Sequence, residues 1–133
     1  MITEEIIKEI ARTASAYFSK NEMIQYAKQI QEFKFTTLHH FICITQDKGI
    51  VQLESSFLTE NLIFDFTFSR SKSEVAIIPI RAITYLRRNI NNEKNMTLVI
   101  GSNAFTFVYN TFNANDTELL NIYSTEIAKR INL

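Results

Sequence analysis

The chain's only two histidines stand side by side, and its only cysteine follows three residues later, in the stretch TLHHFICIT from Thr37 to Thr45. Histidine and cysteine are the side chains of zinc sites and thiol nucleophiles. On a helix His39 and Cys43 would be neighbours one turn apart. The alternation of β-branched and aromatic residues in FKFTTLHHFICIT predicts a strand instead, with His39, Phe41 and Cys43 on one face and Leu38, His40, Ile42 and Ile44 on the other. His39 and Cys43 then lie about 13 Å apart at ~3.3 Å per residue, too far to share a metal whose ligands sit within ~2.3 Å of it. The same gap denies Cys43 the base that activates a thiol. The spacing therefore points to no metal site, and to a buried, inert Cys43. Of the two histidines, His40, flanked on its face by Leu38 and Ile42, is expected to be the more buried.

The other chemistry-bearing side chains are scattered. Between positions 61 and 100 the basic residues Arg70, Lys72, Arg81, Arg87, Arg88 and Lys94 outnumber Asp65, Glu74 and Glu93. A bend at Pro79 would bring Arg70 and Lys72 toward Arg87 and Arg88, and these four form the candidate ligand-binding patch for an anionic group. The alternative is ordinary solvated charge, and Arg87 and Arg88 should face opposite ways on a regular strand. Asp47, Glu54, Asp65 and Glu74 occur singly, with no spacing that pairs an acid with a base. The sequence contains no glycine-rich phosphate loop, Gly-x-Ser-x-Gly elbow or His-Glu-x-x-His motif. We therefore expect no catalytic residues and no cofactor.

The elements that must position these residues follow from periodicity. TEEIIKEIARTASAYF, residues 3 to 18, carries Ile6, Ile7, Ile10, Ala14, Tyr17 and Phe18 on one helical stripe. SKNE at 19 to 22 predicts a capping box and a break near Ser19, before a second stripe of Met23, Ile24, Ala27 and Ile30. From Phe33 the period becomes two. NLIFDFTFSR sets Leu62, Phe64, Phe66 and Phe68 on one face and Ile63, Asp65, Thr67 and Ser69 on the other, as a half-buried strand would. Similar alternation marks Val51, Leu53 and Phe57, then Met96, Leu98 and Ile100, then Phe105, Phe107 and Tyr109. QDKG and GSNA are hairpin turns, and Pro79 marks a corner between strands. Asn115 with Glu118 predicts the cap of a last helix, 115–131, with Leu119, Leu120, Tyr123, Ile127 and Ile131 on one broad face.

The fold class is α+β in one domain, residues 1–133. It comprises an N-terminal helical segment (3–32), about seven antiparallel strands in a bent sheet or partial barrel (33–111), and a C-terminal capping helix (115–131). The length and the 46% hydrophobic content suffice for one core. Fourteen basic residues balance fourteen acidic ones, which argues against nucleic acid as a partner. One cysteine and the acidic start MITEEIIKEI point to the cytoplasm. The apolar runs are far short of the ~20 residues of a membrane span. The Ile, Asn, Lys and Phe bias suggests an AT-rich genome.

FLTENLIF (57–64), IIPIRAITYL (77–86), two further amphipathic strands and a closing helix together resemble the PH-like superfamily, in particular its bacterial and GRAM-like branches. The resemblance covers residues 35–131. It implies a seven-stranded, two-sheet partial barrel capped by the last helix, and a binding rather than catalytic role toward lipids, peptides or proteins. The first hairpin, TQDKGIVQ, offers only Lys48 beside Asp47 where phosphoinositide-binding members cluster basic residues. The expected partner is thus a protein segment added to a sheet edge, or a second copy of the chain. Peripheral contact with an anionic membrane through Arg70, Lys72, Arg87 and Arg88 is a lesser alternative. Another is a cone-shaped domain of the nuclear-transport-factor-2 kind with an apolar pocket, a fold that ends in strands where this chain predicts a helix.

Overall fold

Ser19 divides the first thirty residues as its sequence context predicts. In the computed structural model, which describes residues 3–131, the Glu22 amide donates to Ser19 Oγ at 3.2 Å and the Ser19 amide donates to Glu22 Oε1 at 2.8 Å. This box starts helix α2 (Lys20–Gln31), and α1 (Glu4–Ala14) precedes it, capped by Thr3 with Glu4 and Glu5 in its first turn.

Seven antiparallel strands follow, in two sheets. Strands β1 (His39–Asp47), β2 (Ile50–Leu58), β3 (Leu62–Phe68) and β4 (Ser73–Pro79) form a four-stranded meander. After Pro79 a single 3-10 turn, Ile80–Ala82, carries the chain to a second sheet of β5 (Tyr85–Asn92), β6 (Asn95–Gly101) and β7 (Thr106–Thr111). Pro79 thus stands at the corner between the sheets. Helix α3 (Ala114–Ile131) closes the chain and packs on β1, β6, β7 and the 3-10 turn.

Two expectations shift at element ends. The alternation from Phe33 suggests a strand, yet pairing begins only at His39. Phe33 and Phe35 lie over the sheet instead, with the Phe35 ring stacked on Phe64 at a centroid distance of 4.3 Å. Their spacing serves packing onto β3 rather than pairing within the sheet. The cap of α3 is Asn113 rather than Asn115. The Asp116 amide donates to Asn113 Oδ1 at 2.8 Å, and Asn113 Nδ2 donates to Asp116 Oδ2 at 2.8 Å. Thr117 faces inward, where it meets Thr111 Oγ1 at 2.7 Å and donates to the Lys94 carbonyl. Leu119 is exposed, and Leu120, Tyr123 and Ile127 form the buried face.

The main correction concerns β3, whose alternation suggests one buried face and one wet one. Phe64, Phe66 and Phe68, with Leu53 and Phe57 of β2, pack against Ile10, Phe18, Met23, Tyr26 and Ile30 of the N-terminal helical segment. On the opposite face Ile63, with Phe41, Cys43, Leu58 and Ile78, meets Met96, Leu98, Ile100 and Tyr109 of the second sheet and Leu120, Tyr123 and Ile127 of α3. The four-stranded sheet is the middle of three layers. Its inner strands are buried on both faces because α1 and α2 cover the side that a bare partial barrel would leave to water.

The β1–β2 turn holds Lys48 at φ 52° and Gly49 at φ 79°, the two left-handed residues of a type I′ hairpin. Glycine adopts this conformation freely, whereas lysine does so at a cost. Lys48→Asn, which gives the favoured Asn-Gly pair, is expected to stabilise the fold by about 0.5–1 kcal/mol. Urea unfolding of both proteins checks this, and a loss of stability would contradict the turn assignment.

Candidate functional site: a carboxylate pair between the sheets

Along its inner face β2 presents Leu58, Ser56, Glu54 and Gln52 in turn, and β3 presents Ile63, Asp65 and Thr67. The apolar end lies beneath α3 and the polar end opens into a cavity of about 460 Å³. Register brings the acids together: Glu54 stands opposite Thr67 and Asp65 opposite Ser56, so the two carboxylates are diagonal neighbours on one face. Lys72, Glu74, Val75 and Ala76 on the β4 side and Phe107 of β7 complete the wall.

Behind the acids Ser56 Oγ meets the Tyr123 hydroxyl at 2.7 Å and the Tyr109 hydroxyl at 3.3 Å. Asp65 is only 6% exposed, and its Oδ1 has no hydrogen-bond partner. Burial first, and then the adjacent Asp65 carboxylate, raise Glu54 well above the usual carboxylate range. Burial also raises Asp65, while its Glu54 and Tyr109 neighbours act in the other direction. Two neighbouring carboxylates this buried do not both ionise readily, so the pair gives up its last proton only above the ordinary carboxylate range.

The sequence-predicted basic residues occupy different faces. Arg70 braces the β3–β4 turn against the helices: its Nη2 donates to the Tyr17 carbonyl at 2.9 Å, its Nε lies 3.5 Å from Glu22, and its guanidinium is 6.0 Å from the Phe18 ring centre. Lys72 sits on the cavity wall with Nζ 3.5 Å from Glu74. Arg88 turns toward α3, where Nη1 donates to Asn121 and Thr125 at 3.1 and 3.2 Å. Arg87 projects to the other, exposed face of β5, as alternation requires.

His39 and His40 also part as predicted. His39 Nε2 is 3.3 Å from Glu126 of α3, and His40 Nε2 pairs with Glu9 of α1. His40 is the more buried by a small margin, its side chain 32% exposed against 41%. Cys43 lies in the core, and burial pushes its thiol far above the ordinary value. A thiol reagent is expected to leave Cys43 unmodified in the folded protein and to label it in denaturant. Rapid stoichiometric labelling of the native protein would contradict this.

In the sequence Glu54, Asp65 and Glu74 stand as isolated acids. The structure instead joins Glu54 to Asp65 across a hairpin and places Glu74 on the same wall. The side chain of Asp47, the fourth of these acids, lies outside the described residues. The signal in the sequence is the turn at Thr59–Asn61: pairing Leu58 with Ile63 across it sets every later partner, including the two acids.

The raised Glu54 carboxyl binds its proton more tightly in the folded than in the unfolded protein. Its contribution to stability is full below the unfolded value and is lost as pH rises through the folded one. Glu54→Gln is therefore expected to raise the melting temperature at pH 8 by roughly 3–6 °C, from ~1–2 kcal/mol in a domain of this size. The advantage should fade as pH falls toward ~4.3. An advantage that grows on acidification would contradict the raised Glu54 carboxyl. Compared with protein-family models and with curated protein sequences, the chain matches none.

Proposed function

We propose that the protein is a non-catalytic, cytoplasmic binding module of the PH-like kind that accepts an extended segment of a partner along the free edge of β4. The PH-like part of this reading is supported by the four-plus-three arrangement of antiparallel strands, the corner at Pro79 and the terminal helix packed across both sheets. That helix also favours it over a cone-shaped pocket fold. No helix of the described residues is long and apolar enough to cross a membrane. A membrane surface site would need converging free basic groups, whereas Arg70 and Arg88 are committed to helix contacts.

The observation that carries the proposal is the condition of β4 among the four sheet edges. Strand β1 packs against α1, α3 and β7. The chain guards β5 with Arg87, Arg88 and a register break between Ile90 and Asn92. Strand β7 meets β1 and α3. In contrast, β4 pairs with β3 over seven unbroken residues and leaves Val75 and Ile77 exposed. Two ladder bonds, Ile80 N–H to the Asn61 carbonyl and Ser69 N–H to the Lys72 carbonyl, set its phase. Even-numbered residues therefore bond toward β3, and the N–H and C=O groups of Val75 and Ile77 point away from it. Those groups are the template onto which a strand adds.

Val75→Pro removes an N–H that makes no bond to β3, at an edge position where proline is tolerated. The variant is expected to keep the wild-type circular dichroism spectrum and to lose the partner that the wild type retains in affinity capture. Equal retention by both proteins, or no partner retained by the wild type, would overturn the edge reading.

A further inference from the structure

We propose that the segment lying on β4 inserts a lysine or arginine side chain into the cavity between the sheets, where Glu54 and Asp65 receive its charge. The proposal rests on the edge reading above and adds to it the chemistry of the partner.

Charge complementarity identifies this occupant. Three carboxylates, Glu54, Asp65 and Glu74, line the cavity, and the one cation on its wall, Lys72, is paired with Glu74. Asp65 keeps an unpartnered oxygen at 6% exposure, a buried acceptor that lacks a donor. A buried acceptor without a partner costs about 1–3 kcal/mol, so a donor that reaches it is favoured. Among the described residues no three His, Cys, Asp or Glu side chains converge as a metal site requires, and a cavity of about 460 Å³ is far larger than a bare ion needs.

Strand geometry supplies the route. Asp65 pairs with Ala76, the smallest side chain on that face of β4. A residue opposite Ala76 on an added strand lies two strand spacings from Asp65, about 9.5 Å. The arms of an aspartate and of an arginine or lysine together cover that distance, and the alanine between them leaves the path clear. Residues on either side of the basic one project to the opposite face, beside the exposed Val75 and Ile77. The recognised pattern is thus apolar, basic, apolar in an extended segment.

Selection of random heptapeptides against the folded protein tests this. The wild type is expected to enrich peptides with lysine or arginine flanked by apolar residues. Asp65→Asn should bind the selected peptides at least about tenfold more weakly, as loss of one partner of a buried charge pair does. Val75→Pro should weaken all of them. Folding of each variant is read by its circular dichroism and melting. Enriched peptides that lack a basic position but still depend on Val75 would overturn the cation site and leave the edge reading standing. Peptides indifferent to Val75→Pro would overturn the edge reading, and no enrichment over an unrelated protein would overturn both. A wild-type dimer that Val75→Pro dissociates would place a second copy on β4 and overturn the proposed partner.

Discussion

The β2–β3 hairpin has no solvent face, and the rest of the structure follows from that constraint. From Ser55 to Thr59 and from Ile63 to Phe66 every residue is buried. An antiparallel sheet commonly shows one face to water, but here helices cover one side while the second sheet and α3 cover the other. Each polar group on the hairpin must then be satisfied from within the protein. Thr59 does so locally, its Oγ1 accepting from the Leu62 amide at 3.0 Å to close the turn. Ser56 takes two tyrosine hydroxyls, one from β7 and one from α3, and so ties the hairpin to both elements behind it. Ser55 Oγ and Asp65 Oδ1 are left without a partner, and the deficit at Asp65 gives the cavity its chemical character.

A buried carboxylate is tolerated only where stronger packing forces hold its surroundings together. Phe57, Phe64, Phe66 and Phe68 are buried against α1, α2 and the Phe33 and Phe35 rings. Full burial of such a ring is worth about 1.5–3 kcal/mol. The helical layer is thus part of the core rather than an accessory to it. On the other face burial raises both carboxyls, since the neutral form of a carboxyl is far cheaper to bury than its ion. The pair also sits at the polar end of the inter-sheet space, away from the apolar end under α3. Fold and site are compatible because the hairpin's inner face grades from Leu58 to Gln52 instead of alternating at random.

Much of the architecture is legible in local pattern. The capping box at Ser19, the Lys48–Gly49 turn, the corner at Pro79 and the opposed histidines are all set by neighbours within a few residues, where chain geometry leaves little choice. What escapes local pattern depends on contacts between distant segments. The face of β3 that its period marks as wet is dry because residues 4–31 and 85–131 lie over its two sides, a fact that no strand carries in its own period. The carboxylate pair escapes because residues eleven apart become neighbours only once register is known. The α3 cap is ambiguous because Asn113 with Asp116 and Asn115 with Glu118 make the same local pattern. Packing of Thr117 beneath Thr111 and Lys94 chooses between them.

The stretch that looks most like a reactive site has a structural use that its alternation explains. Consecutive residues of a strand address opposite faces, so an adjacent pair of histidines in the middle layer can reach both outer layers at once. His40 meets Glu9 on the helical side, and His39 meets Glu126 on the side of α3. Glu126 is in turn held by Lys129 at 3.0 Å, and that bond is the first cause of its lowered carboxyl. Both histidine contacts are partly exposed, so each contributes little to stability by itself. Their value is positional: they place one end of β1 between α1 and α3. Strand β1, at one margin of its sheet, thus packs against both outer layers, whereas β4 at the opposite margin leaves Val75 and Ile77 exposed.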